Sequence, residues 1–245
     1  MSKSGPPFAG ANALIFGGAK GIGKAVAKEW ARRGARLAIA DLATREAEFT
    51  ERLRSFGQGK SAAQTEVDCA IRRIFWYAAQ ADKFDGAVHQ TKSAHVTLAM
   101  HEPLGVMGIA CPTAFPLLGF VSLVLPAIAM GNRVVAVPSQ THPLAATDLY
   151  QVLDTSDVPG GVVNIVTGDR DALARTLAEH DDVDALWYFG TAAGAGLVEA
   201  ASAGNLKQIW CEDGAARDWT TLQGQGRPFL TRATQVKNIW VPYGE

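Results

Sequence analysis

The chain has 245 residues, 48% hydrophobic and 19% charged, an apolar share that excludes a disordered polymer because enough surface can be buried to offset ordering entropy. Lys plus Arg number 23 and Asp plus Glu 24, so the basic excess required of a general nucleic-acid or anionic-membrane binder is missing. Cys69, Cys111 and Cys211 are odd in number and far apart, which argues against a disulfide framework and for a reducing, cytoplasmic setting. The opening Met-Ser-Lys-Ser-Gly-Pro-Pro has no apolar core behind a basic patch, so no signal peptide is expected.

In chain order, residues 13–16 form an apolar run that ends in Gly17-Gly18-Ala19-Lys20-Gly21-Ile22-Gly23. A helical pattern follows over 22–33, with Val26 and Trp30 four apart and Gly34 as its stop. Residues 37–40 read as a second strand, capped by Asp41, so the front of the chain spells one βαβ unit. A charged amphipathic stretch over 44–56 ends at Gly57-Gln58-Gly59. Over 61–83, Val67, Ile71, Ile74 and Phe75 fall at helical spacing, with Arg72 and Arg73 expected to face away. Residues 95–100 alternate as a half-exposed strand does, whereas 86–93 read as a loop.

From Val106 onward strands and helices alternate. Strands are expected at 106–110, 134–137, 162–166, 185–189 and 208–211, with helices at 116–130, 144–153, 172–178 and 195–203. Such a rhythm implies a parallel sheet covered on both faces. Residues 213–233 are polar and contain glycine, and 235–241 form a last strand out of that rhythm. Residues 103–132 carry no charge, but Pro112, Pro116 and Pro126 interrupt the run that a membrane span of roughly 20 residues would need. A buried strand, a proline-rich turn and a buried helix are expected instead.

The spacing Gly17-x-x-x-Gly21-x-Gly23 between a strand and a helix suits close approach of a pyrophosphate to a helix N-terminus. Gly17, Lys20, Gly21, Ile22 and Gly23 are the candidate binding residues. Asp41 at the end of the second strand would accept from ribose hydroxyls and repel a 2′-phosphate, favouring NAD over NADP. The same glycines could also shape a βα corner without any ligand. This segment resembles the opening of the short-chain dehydrogenase/reductase family over about the first 44 residues, with Phe16 where that family usually has Thr. The family's Tyr four residues before a Lys is missing: Tyr77, Tyr150, Tyr188 and Tyr243 all lack it.

Residues 45–245 carry a second, longer set of motifs. These are Met100-His101-Glu102-Pro103-Leu104-Gly105-Val106, Pro112-Thr113-Ala114-Phe115-Pro116-Leu117 and Gly131-Asn132-Arg133-Val134-Val135, then Val158-Pro159-Gly160-Gly161-Val162-Val163-Asn164-Ile165-Val166-Thr167-Gly168 and Asn205-Leu206-Lys207. They resemble the dinucleotide domain of the aldehyde dehydrogenase superfamily, and within it the degenerate C-terminal module of doubled enzymes. The resemblance implies a Rossmann-like parallel α/β sheet with helices on both faces, plus a small antiparallel oligomerisation sheet from 95–102 and 235–241. It also implies a nicotinamide dinucleotide as partner, and a dimer or a partner subunit.

Read position by position, the resemblance implies lost chemistry. Ala114 stands at the oxyanion-hole Asn, and Val137 and Gln140 stand at the ribose-gripping Lys and Glu. Gly190-Thr191-Ala192-Ala193-Gly194-Ala195 stands at the phosphate turn, and keeps small residues around an anion seat. Glu212 matches the general base, in a stretch more polar than usual. Gly224-Gln225-Gly226 stands at the Gly-Gln-Cys, with glycine at the thiol. Cys211 and Cys111 are expected to be buried strand cysteines. His89, His95 and His101, six apart, and Asp181, Asp182 and Asp184 are read as exposed strand and turn residues, so no metal site is expected.

Two oxidoreductase pieces are therefore expected, 1–44 and 45–245. The preferred reading is a catalytically degenerate module that binds NAD or a partner subunit. An active NAD-dependent oxidoreductase and a purely structural module are the alternatives.

Overall fold

A computed structural model describes residues 12–16, 36–40, 45–92, 94–156, 158–212, 214 and 217–243. Strands β1 (Asn12–Phe16) and β2 (Arg36–Ala40) pair in parallel as a two-stranded sheet, from Asn12 against Arg36 to Phe16 against Ala40. The glycine turn, the helical pattern after it and Asp41 lie outside the described residues.

Helix α1 (Glu46–Ser55) leads through Gly57 and Gly59 into the long helix α2 (Lys60–Gln80). The buried residues of α2 are Ala63, Glu66, Val67, Cys69, Ala70, Arg73 and Tyr77, and Ala63, Glu66, Ala70, Arg73 and Tyr77 recur three and four apart as one helix face requires. This corrects the expectation for Arg73, which faces inward at 2% exposure while Phe75 is 42% exposed. Hydropathy alone placed the guanidinium outside. It is buried because Ser122 Oγ and the carbonyls of Trp219 and Thr221 accept its hydrogen bonds, as a buried charge demands.

The centre is a five-stranded sheet in which every neighbouring pair is parallel. Its strands are β5 (Val106–Ala110), β6 (Arg133–Val137), β7 (Val163–Ile165), β8 (Ala185–Phe189) and β9 (Gln208–Glu212), in the order β7-β6-β5-β8-β9. They alternate with α3 (Leu118–Ala129), α4 (Leu144–Asp154), α5 (Arg170–Glu179) and α6 (Ala192–Ala201). Side chains of β8 divide as a two-faced strand must. Ala185, Trp187 and Phe189 join the core beneath α1–α4, and Leu186 and Tyr188 join the one beneath α5 and α6. The uncharged 103–132 stretch resolves into β5, a proline turn and the buried helix α3.

A separate antiparallel sheet has the order β10-β4-β3, made of β3 (Ala87–His89), β4 (His95–Pro103) and β10 (Thr234–Pro242). Thr234 pairs with Pro103 and Pro242 with His95, so β10 runs the whole length of β4. The loop expected over 86–93 contains β3, whose three residues are all exposed and so give no alternating apolar signal. Within the polar 213–233 stretch lies a short helix, α7 (Arg227–Arg232), whose Phe229 and Leu230 are buried.

Candidate functional site

Strand β5 sends its chain to β6 and β7 on one side, while β8 and β9 lie on the other. The order reverses between β5 and β8, and ligands of doubly wound sheets bind at the carboxyl ends of the strands at such a point. Thr113 and Ala114 follow β5, Val137 ends β6, and Gln140 lies just beyond. Arg170 and Asp171 open α5, and the turn from Gly190 to Gly194 joins β8 to α6.

These groups are bonded mainly to one another. Gln140 donates to Asp169 Oδ2 at 3.2 Å and accepts from Arg170 N at 3.2 Å. Val137 is buried. The Tyr188 hydroxyl donates to Asp171 Oδ1 at 2.6 Å and accepts from Thr191 N at 3.2 Å. A Cβ at Gly190 or Gly194 would collide with that hydroxyl, so Tyr188 alone accounts for glycine at both positions. Thr191 Oγ1 caps α6 by accepting from Gly194 N at 3.1 Å, which starts the helix earlier than its apolar pattern suggests. Arg170 is 7% exposed. Its Nη1 donates to Thr113 Oγ1 at 3.1 Å, its Nε donates to Asp171 Oδ1 at 3.1 Å, and its guanidinium lies 5.4 Å from the Tyr188 ring centroid. Burial pushes the Asp171 carboxyl up, but hydrogen bonds from Tyr188 and Arg170 outweigh it and hold the group below its ordinary value.

Beside this crevice, at the carboxyl end of the edge strand β9, Glu212 meets Arg217. Arg217 Nε lies 3.0 Å from Oε2, Nη2 contacts Oε1, and Nη1 donates to the Gln223 carbonyl. The rings of Phe189, Trp210, Trp219 and Phe229 surround the guanidinium with centroids 5.5–5.8 Å away. Burial lowers the Arg217 pKa, as does the nearby charge of Arg232. Where the sequence suggested polar surroundings for Glu212, its partner therefore sits in an aromatic box.

The segment at the Gly-Gln-Cys position packs against α2. Gln225 Oε1 accepts from Arg73 Nε at 3.4 Å, and a Cβ on Gly224 would strike the Trp219 backbone. Gly226 has φ +107° and leads into α7. Cys211 packs with the α5–α6 core, whereas Trp210 belongs to the opposite face. Alternation along β9 then puts Glu212 on the face away from Cys211. Burial pushes the Cys211 thiol up to about 11 and raises that of the fully buried Cys111 further, so both stay protonated at neutral pH.

Ala114 and Phe115 line a cavity of about 550 Å³ with Gln58, Glu66, Thr141 and His142. Phe115 adopts φ +55°, a conformation that L side chains rarely take. Glu66 Oε1 accepts from the backbone N of Leu117 and Leu118 at 2.9 and 3.0 Å, and Oε2 from Gln58 at 2.8 Å. A carboxylate there complements the N-terminus of α3. Sequence reasoning missed Glu66. The one available signal was an acid falling on the apolar face of α2.

The aldehyde dehydrogenase family profile matches residues 15–223. The chain belongs to the aldehyde dehydrogenase family. It is 35% identical over 180 residues to the NADP/NAD-dependent aldehyde dehydrogenase PuuC of Escherichia coli K12, covering 72% of this chain and 36% of that protein. It is 33% identical over 180 residues to retinal dehydrogenase 2 of Gallus gallus, covering 72% and 35%. Among solved structures, gamma-glutamyl-gamma-aminobutyraldehyde dehydrogenase from Burkholderia cenocepacia is similar at TM-score 0.64 and 32% identity, covering 70% of this chain and 36% of that one.

The chain thus spans about a third of the length of these family members. The match to the family runs across residue 44, where a join of two pieces was expected. Of the candidate residues, Glu212 lies in the described part, held by Arg217. Gly17, Lys20, Gly21, Ile22, Gly23 and Asp41 lie outside it. Among the described residues no group of His, Cys, Asp or Glu is arranged to hold a metal ion, and no helix is long and apolar enough to cross a membrane.

Proposed function

We propose that this member of the aldehyde dehydrogenase family is a catalytically degenerate, nicotinamide-dinucleotide-binding module. The observation that carries degeneracy is the Glu212–Arg217 pair. A general base must be free to reach a proton, and this carboxylate is engaged at both oxygens by a guanidinium. No thiolate stands beside it, and Ala114 offers no side-chain donor to an oxyanion. Dinucleotide binding is supported by family membership and by the front turn, where Asp41 favours NAD over NADP. In this reading 1–44 is a short-chain-dehydrogenase-like nucleotide unit and 45–245 the aldehyde-dehydrogenase-like domain.

Titration with NADH, followed by energy transfer from the six tryptophans, tests the proposal together with aldehyde oxidation assays in NAD and NADP. Saturable binding lost on Gly21→Asp, with no turnover, supports it. Aldehyde-dependent NADH formation would overturn degeneracy. A second reading, a structural module without nucleotide, is favoured by the apolar side chains that the antiparallel sheet leaves exposed, Met100, Val236 and Trp240 among them. An exposed sheet of this kind suits pairing with a second subunit. A folded sample that binds no NADH and elutes as a dimer would establish that reading.

A further inference from the structure

The crevice between the carboxyl ends of β5 and β8 is where a doubly wound sheet seats a nucleotide, and in this chain a side chain lies across it. Arg170 starts on α5, reaches Thr113 after β5, and covers the face of Tyr188 on β8. Its guanidinium therefore bridges the two strands at which the strand order reverses. It is 7% exposed, so it is a filling of the crevice and not a fringe above it.

Several of the groups that would greet a nucleotide are occupied as well. Gln140, at the ribose-gripping position, is tied to Asp169 and to the backbone of Arg170. Two N–H groups at the start of α6, which would otherwise favour a pyrophosphate, are spent within the chain. Thr191 N donates to the Tyr188 hydroxyl and Gly194 N to Thr191 Oγ1.

We infer that Arg170 closes this crevice in the resting chain, and that a dinucleotide lodges there only by displacing its guanidinium from Thr113 and Tyr188. Arg170 is then the residue that sets the affinity of this crevice for a dinucleotide. The inference takes its probe from the dinucleotide reading but is tested apart from it.

The experiment uses NADH with the full chain carrying Gly21→Asp, so that the front turn is silent. To this background are added Arg170→Ala, which empties the crevice, or Thr113→Val, which removes the contact across the crevice and leaves the arginine with its bond to Asp171. Thermal melting establishes that each variant is folded. Both additions are expected to tighten NADH binding at least about tenfold relative to Gly21→Asp alone, the alanine more than the valine. Unchanged or weaker binding in both would overturn the inference. Should Arg170→Ala fail to fold, Thr113→Val decides alone. Failure of the front-turn reading shows separately, as equal binding by wild type and Gly21→Asp.

Discussion

Glu212 and Arg217 meet through a two-point ion pair, with Nε 3.0 Å from Oε2 and Nη2 against Oε1. The same guanidinium donates to the Gln223 carbonyl, so one side chain joins the end of β9 to the turn before α7. The side chains keep only 20% and 17% of their exposure, and four aromatic rings exclude water around the cation. Planar pairing of this kind is stronger and more directional than a lysine contact.

Arg217→Ala should therefore be costly. It strands a mostly buried carboxylate, and breaking such a pair costs about 3 kcal/mol at the lower end of the measured range. Urea denaturation should show this as a lower midpoint with unchanged slope. The variant should gain no aldehyde oxidation, because freeing Glu212 leaves it on the face opposite Cys211. Turnover by Arg217→Ala would show that the lock alone silences the site.

Arg73 fastens the same turn from the other side, through the carbonyls of Trp219 and Thr221 and the side chains of Ser122 and Gln225. Arg73→Met keeps the aliphatic stem but removes the charged donor to both carbonyls, of which only that of Thr221 also accepts from Gly224 N. Hydrogen bonds from a charged group contribute about 1.5–3 kcal/mol each, so a loss of at least about 3 kcal/mol is expected. Amide hydrogen exchange should rise first over 218–226 and only later in β8. Uniform loss of protection across the sheet would contradict a local anchor.

How legible these arrangements are in the sequence depends on their range. Strands β5 and β8 were expected at the residues where they occur, because a buried parallel strand is a continuous apolar run. Helices α3 and α4 were placed within a residue or two, because α3 is an apolar run too long for a strand and α4 repeats its apolar residues at helical spacing. Strand β3 and helix α7 were missed, since three exposed residues or one short turn leave no periodic pattern. The inward turn of Arg73 was hidden because its acceptors lie 49 to 152 residues away. Glu212 could be picked out as a candidate base, but its engagement could not. Arg217 sits in a polar stretch whose pairing is decided by the aromatic rings of β8, β9 and α7. Arg170 was hidden likewise, as one arginine at the start of a helix.

Asn132 ties three elements with a single side chain. Its Oδ1 accepts from Leu104 N and Gly105 N at 2.7 and 3.0 Å, and its Nδ2 donates to the carbonyls of Ala127 and Ala233 at 2.9 and 2.8 Å. The turn between β4 and β5, α3 and the end of α7 are thereby held together. Asn132→Ala should cost about 3 kcal/mol, since Leu104 N, Gly105 N and the Ala233 carbonyl each lose a bond of roughly 1 kcal/mol, while the Ala127 carbonyl keeps the one from Asn132 N. Asn132→Asp should cost less at the Leu104 side, where the acceptor survives, and calorimetry on the two variants would rank them. Equal melting of both variants and wild type would sink this account.

Glu66 gives the fold a pH dependence of unusual sign. Burial raises its pKa above the ordinary value of 4.5, against the lowering effects of Gln58, of the Leu118 and Leu117 backbone and of His142. An acid whose folded pKa exceeds its unfolded one binds protons more tightly in the fold. Its contribution therefore favours the folded state at low pH, and that advantage is lost as pH climbs from 4.5 through the raised value. Glu66→Gln removes the titration while an amide oxygen can still accept from Leu117 and Leu118. Urea midpoints taken from pH 4.5 to pH 8 should fall less steeply with rising pH in the variant than in the wild type. Parallel profiles would assign the dependence to other carboxylates and leave the Glu66 charge fully stabilised by the N-terminus of α3.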